Sequence, residues 1–241
     1  MKTRKKKVVV IKMTCRMLVC AGKLPMTQIL DDFALMVLNK NEEHEINKEK
    51  PHLVHDDGWG IVIGRFGKLG SYKKAVSCLE DPKYQEYYQV DADFLILHAR
   101  KATPNMSISY GFTHPFQKDG WFFCHNGTID DLTGQRDTGD SERFFDMILA
   151  AMNEGTDVIN AIKVASSEVK RFSAINFILA NSSRAYVLNR FQKEYPQYYT
   201  MKYRASENYV MVSSERLQNF DGPWKELGNK NLAVLDIRVV D

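Results

Sequence analysis

Four short segments and one cysteine concentrate side chains that can do chemistry. His55-Asp56-Asp57-Gly58-Trp59-Gly60 is a turn leading into a strand. Its glycines permit positive φ or close backbone approach, and by itself it is a hairpin entry. His98-Ala99-Arg100-Lys101-Ala102-Thr103 closes an apolar run. His98 and Arg100 are two apart and so share a strand face. An arginine there either clamps a carboxylate bidentately or makes a surface salt bridge. Thr113-His114-Pro115-Phe116 and Phe123-Cys124-His125-Asn126-Gly127 come next. Asn-Gly after a strand is a turn signal. Its functional alternative is an oxyanion hole, with the Asn amide and the glycine N–H receiving the charge of a tetrahedral intermediate. Gly139-Asp140-Ser141-Glu142 has the form of helix capping. Cys15, near the start of the chain, adds a thiol.

These residues need elements to hold them. Residues 15–22 read as a short buried strand, and 26–39 as a helix with Ile29, Phe33, Met36 and Val37 on one face and Thr27 as N-cap. The charged stretch 40–56 reads as an exposed loop. The apolar runs 59–66, 94–99 and 121–125 read as strands, and 101–119 as a long functional connection. Residues 141–153 and 157–170 form two amphipathic helices split by Gly155. Strands are expected at 173–180, 184–190, 198–203, 208–213 and 232–239. Strands, two helices and further strands predict one layered α+β domain.

Composition narrows the class. No apolar run reaches the ~20 residues of a membrane span, and Val8–Ile11 is too short for a signal-peptide core, so a cytoplasmic protein is expected. Lys2, Arg4, Lys5, Lys6, Lys7 and Lys12 carry six charges; removing them from the net +3 leaves the rest at −3. The body of the protein is therefore no polyanion binder, and a nucleic-acid partner is not expected. Cys15, Cys20, Cys78 and Cys124 include no C-x-x-C pair and carry no zinc-type spacing. Neither a metal nor a cofactor is expected. Without a secretory signal, disulfides are not expected, and Asn105, Asn126 and Asn181 are not read as glycosylation sites.

The order of the motifs carries more than any one of them. C-R-M-L, D-G-W-G, H-A-R-x-A-T, T-H-P-F, H-N-G and G-D-S-E, echoed by Ser213-Ser214-Glu215, resemble the class II glutamine amidotransferases of compact, free-standing type. The resemblance runs from Cys15 to about Glu142. It implies the four-layer αββα sandwich of the N-terminal nucleophile hydrolases. It also implies that Cys15 attacks a γ-carboxamide, with its own α-amine as base, and that Asn126 and Gly127 form the oxyanion hole. Arg100, assisted by Thr103, would bind the substrate α-carboxylate, Asp140 its α-ammonium, and His114 would lie beside it.

One departure stands out: fourteen residues precede Cys15, whereas the family needs a free α-amine there. Residues 1–14 are accordingly expected to be a basic extension or propeptide removed after Thr14, or to reflect a start at Met13, with 15–241 as the amidotransferase domain. A Thr14 nucleophile exposed by loss of Met13 ranks below Cys15. About 100 residues follow the last site motif and are needed to complete the sheets, so no acceptor domain is expected within them. Three functions follow: a glutaminase delivering ammonia to a separate synthase subunit, a hydrolase of γ-glutamyl compounds, or a non-catalytic binding module with a basic arm.

Overall fold

The computed structural model describes residues 15–103, 106–134 and 138–237. In chain order the first half contains β1 (Arg16–Gly22), α1 (Met26–Val37), α2 (Glu45–Glu49), β2 (Trp59–Arg65), β3 (Lys68–Lys74), α3 (Pro82–Glu86), β4 (Phe94–Ala99), β5 (Phe116–Lys118) and β6 (Trp121–Asn126). The second half contains α4 (Asp140–Asn153), α5 (Val158–Glu168), β7 (Asn176–Ala180), β8 (Arg184–Asn189), α6 (Pro196–Tyr199), β9 (Lys202–Ala205), β10 (Tyr209–Ser213), β11 (Lys225–Glu226) and β12 (Asn231–Asp236). They build a seven-stranded sheet, β11-β9-β10-β1-β4-β2-β3, and a five-stranded sheet, β12-β8-β7-β6-β5, with antiparallel neighbours.

Alternation along the strands sorts side chains into layers. Leu18 and Cys20 of β1, with Ile61, Leu95 and Leu97, pack outward against Ile29, Phe33 and Met36 of α1. Met17 and Val19, with Val62 and Ile96, face the second sheet, where they meet Cys124, Ile178 and Val187. On the far side, Phe123, Phe177 and Leu179 pack against Phe144, Phe145 and Ile148 of α4 and Ile162 of α5. Helix, sheet, sheet and helix thus form the four-layer αββα sandwich of an α+β fold.

Several local expectations need correction. Helix α1 starts one residue before Thr27; Pro25 holds the N-cap position without a side-chain bond, and Thr27 lies inside the first turn. The 40–56 stretch is not an exposed loop. It contains α2, capped by His44, and buries Asn41, His44, Ile46, Leu53 and His55. Ile46 and Leu53 pack on Tyr198 and Tyr199, while Glu42 pairs with Lys202 and Glu45 accepts from the Gln197 and Tyr198 N–H groups. The 101–119 connection contains a 3-10 turn at Tyr110–Phe112 and the strand β5. The strand expected at 198–203 is preceded by α6, so extended pairing begins only at Lys202. The strand expected at 173–180 begins at Asn176. Of the strand expected at 232–239, β12 covers Leu232 to Asp236 and Ile237 lies beyond it; residues 238 and 239 lie outside the described residues, as does the 1–14 segment.

Gly60 shows how closely the connection lies on β2. A Cβ there would sit 2.1 Å from the His114 carbonyl oxygen and 2.7 Å from Pro115 Cδ. Gly60→Ala should therefore force backbone apart and cost about 1–3 kcal/mol, read as a shifted midpoint in denaturant. An unchanged midpoint would show that the strap does not rest on β2 in solution.

Candidate active site

Parity and register assemble the site. Cys15 precedes β1 and shares the parity of Met17 and Val19, toward the second sheet. Arg16 pairs with Ala99, so one further step sets Cys15 opposite Arg100. Arg100 shares its face with Phe94, Ile96 and His98, again the inter-sheet side. Buried Cys15 lies at the end of the first sheet's central strand, on the side that faces the second sheet.

Arg16 has the opposite parity and is wholly buried. Its Nε lies 2.8 Å from Glu215 Oε1, and its guanidinium lies 3.6 Å from the centre of the Tyr198 ring. Asn41 Nδ2 and the Glu42 N–H donate to the other Glu215 oxygen at 2.9 and 3.1 Å. Burial alone would raise the Glu215 carboxyl, but Arg16, His44 and Asn41 outweigh it and hold the carboxyl below its ordinary range. Met17 and Ser214 exchange two bonds, Ser214 N–H to the Met17 carbonyl at 2.9 Å and Met17 N–H to Ser214 Oγ at 3.0 Å. The Ser213-Ser214-Glu215 segment thus fixes the chain on the C-terminal side of Cys15.

Six residues singled out in the sequence line one cleft: Cys15, Arg100, Thr103, His114, Gly127 and Asp140. Arg100 is buried and makes no surface salt bridge. It donates to the Asp57 carbonyl at 3.4 Å and the Ser107 carbonyl at 3.0 Å, and no described carboxylate lies within ion-pair distance. Its neighbour Lys101 takes that role instead, 2.7 Å from Asp56 and 3.3 Å from Asp57. Asp57 also accepts the Ala102 N–H at 2.8 Å, tying the D-G-W-G turn to the arginine loop.

Asp140 is the first residue of α4, not its cap. Gly139 holds the N-cap position, and Asp140 Oδ2 accepts the Ile129 N–H at 2.7 Å. No described cation forms an ion pair with it. Asn126 closes β6 opposite Asn176, buried, with its Oδ1 lacking a hydrogen-bond partner; it adjoins the cleft through Gly127 and does not itself line it. Gly127 has φ +146°, and a Cβ there would lie 1.9 Å from the Ala174 carbonyl oxygen, so this turn accepts only glycine.

His114 lines the cleft between His98, 4.3 Å away, and Phe116, 4.5 Å away, centre to centre. Neither ring nitrogen has a partner. Burial drives His98 down to about 3 and holds His114 well below its ordinary range, so both rings are neutral. Burial also pushes the Cys15 thiol up to about 11; the Lys101 backbone N–H and Arg100 pull it down, while Asp140 and Asp57 push it up. Lys101, Met106, Phe112, Phe116, His125 and Ser141 complete the walls. His125 and Ser141 were visible only as neighbours in H-N-G and G-D-S-E, where turn and cap signals masked them.

Two face-to-face antiparallel sheets between helical layers, with a cysteine where the first strand begins, define a fold of the N-terminal nucleophile hydrolase type. The chain belongs to the class II glutamine amidotransferases, whose family model matches residues 46–194. Among solved structures, a glutamine aminotransferase class-II domain protein from Silicibacter pomeroyi is similar at TM-score 0.60 and 17% identity, covering 91% of this chain and 94% of that one. A predicted glutamine amidotransferase from Pseudomonas aeruginosa PA01 follows at 0.54 and 16%, covering 92% and 98%. Glutamine phosphoribosylpyrophosphate amidotransferase from B. subtilis matches at 0.55 and 16% over 83% of this chain; the match spans only 42% of that longer protein. No curated protein matches. Among the described residues, no helix is long and apolar enough to cross a membrane.

Two measurements check this geometry. Glu215→Gln strands a buried guanidinium and should cost about 3–5 kcal/mol in chemical denaturation. In protein retaining residues 1–14, alkylation of Cys15 should rise about tenfold per pH unit, since only the thiolate reacts, and level off near a pH of about 11. Cys78, pushed by burial up to about 12, should react later. Peptide mass spectrometry separates the two, and a Cys15 profile levelling near neutrality would contradict the buried environment.

Proposed function

We propose that the protein hydrolyses the γ-amide of glutamine, or of a γ-glutamyl compound, through a Cys15 thioester. The observation that carries this reading is a buried guanidinium and a carboxylate, Arg100 and Asp140, that line one cleft without ion-pair partners among the described residues and both act on the Cys15 thiol. Two opposite charges left uncompensated in one cleft are costly unless a ligand supplies both counter-charges. A free amino-acid head does so, its carboxylate meeting Arg100 and its ammonium Asp140. Thr103 adds a hydroxyl beside the carboxylate. His114, with two unsatisfied ring nitrogens, supplies a neutral donor and acceptor for the bound ligand.

With the head held, the γ-carboxamide carbon meets Cys15. The thiolate forms a C–S bond while charge collects on the amide oxygen, which the Asn126 amide and the Gly127 N–H stabilise. Collapse expels the amine, which takes a proton, and water then cleaves the thioester to glutamate and thiol. The initiating base is the α-amine of Cys15, with a pKa of ~7.7–8.0; an amide nitrogen has no such basicity. Activity therefore requires removal of residues 1–14, the basic extension or propeptide, leaving 15–241 as the working domain. A separate synthase subunit is the proposed partner where the released ammonia is used.

The test is protein prepared to begin at Cys15, assayed for glutamate release from glutamine and from γ-glutamyl amides. Cys15→Ala should abolish release. Arg100→Ala or Asp140→Ala should raise KM roughly tenfold to hundredfold, the worth of a charge-assisted bond. Asn126→Ala should instead lower kcat by ~10²–10³. If protein beginning at Cys15 turned over neither substrate class, the hydrolase reading would fall. Salt-sensitive binding lost on deletion of residues 1–12 would then favour the binding-module reading.

A further inference from the structure

The turn that offers Gly127 and the helix start that offers Asp140 come from different segments, yet two hydrogen bonds tie them together. One is the Asp140 carboxylate to the Ile129 N–H at 2.7 Å. The other joins near neighbours of the two: His125, two before Gly127, places Nδ1 2.8 Å from the hydroxyl of Ser141, one after Asp140. His125 Nε2 lies 3.2 Å from the Ala174 carbonyl, the oxygen against which Gly127 closes. The His125 carbonyl in turn faces His98 Nε2 at 3.1 Å. A carbonyl oxygen can only accept, so His125 Nε2 carries the ring proton and Nδ1 accepts from the Ser141 hydroxyl. Burial keeps the ring neutral.

Helix capping does not account for Ser141. Gly139 holds the N-cap position, α4 has no side-chain cap bond, and Ser141 is buried against the cleft. Its hydroxyl is directed across to the second sheet. We propose that Ser141 and His125 are positioning residues, which hold the Gly127 turn and the Asp140 carboxylate at fixed separation while the γ-amide is cleaved. The inference rests on the hydrolase reading above. Asp140 grips the substrate head and Gly127 receives charge at its other end, so their separation decides whether the gripped carbonyl meets its donors. Loosening that separation leaves the head bound and misplaces the transition state.

The experiment uses protein beginning at Cys15. Ser141→Ala should lower kcat roughly tenfold to hundredfold, the scale of a ~1 Å misplacement. KM for glutamine should change by no more than about threefold, because head binding is untouched. Ser141→Thr, which keeps the hydroxyl, should recover most of the lost kcat. The ¹⁵N shift of His125 Nδ1 should move toward that of a free acceptor in Ser141→Ala and stay near wild type in Ser141→Thr. A Ser141→Ala enzyme with wild-type kcat overturns the proposal. So does an equal kcat loss in Ser141→Thr, which would mean packing, or a His125 shift indifferent to both substitutions. An inactive wild type with the expected His125 shifts would instead sink the hydrolase reading while leaving the bond established.

Discussion

The site depends on the buried ion pair between Arg16 and Glu215. Cys15 sits immediately before β1, where a strand end would ordinarily fray. The residue after it is held by a carboxylate that is itself fixed by Asn41 and the Glu42 N–H. Because side chains alternate, anchoring Arg16 on the α1 side obliges Cys15 to face the second sheet. Such a pair adds little net stability over a well-packed apolar substitute. Its value lies in direction: it sets which way the Cys15 side chain points. The anchor is also long-range, since Glu215 lies 174 residues from Asn41, so the site is complete only when β10 has joined β1.

The cleft shows the opposite economy. Arg100 and Asp140 are left without ion-pair partners among the described residues, although Lys101, a neighbour of Arg100, is paired twice. The fold satisfies the flanking charges and spares the two that face the cleft. Arg100 is steadied by backbone carbonyls and Asp140 by a backbone N–H, partners that fix geometry without neutralising charge. That is the preorganisation expected of a site whose counter-charges arrive with the ligand.

The sequence made the sandwich and most of the cleft legible, and what it hid has physical reasons. Strands β1, β2, β4 and β6 are buried on both faces or nearly so, and such strands read as continuous apolar runs. Strand β3, with the sequence KLGSYKK, lies mostly exposed at a sheet edge, where its lysines resist further pairing and erase the apolar signal. The 40–56 stretch looked like a solvated loop because its burial is carried by polar groups. His44 and Asn41 are buried beside Glu215, a partner far away in the sequence that composition cannot disclose. Cys15, Arg100 and Asp140 were legible as ordered motifs. His125 and Ser141 were not, because a bond between a strand end and a helix start has no local spacing to announce it.

The depth of the cleft also bears on which group can activate the thiol. With Cys15 pushed to about 11 and His98 pushed to about 3, a proton transfer from one to the other would be uphill by about eight pK units. At ~1.36 kcal/mol for each, that is about 11 kcal/mol before any chemistry begins. His114, also held well below its ordinary range by burial and by the other histidines, is no better a base. An α-amine with pKa ~7.7–8.0 reduces the gap to about three pK units, about 4 kcal/mol, and as an ammonium beside the thiolate it would narrow it further. The histidines beside the thiol are thus suited to hydrogen bonding in the neutral state, and in the proposed mechanism the burden of deprotonation falls on the nitrogen of residue 15 itself. Under that proposal, a buried, histidine-rich cleft and a nucleophile that exposes its own amine belong to one design.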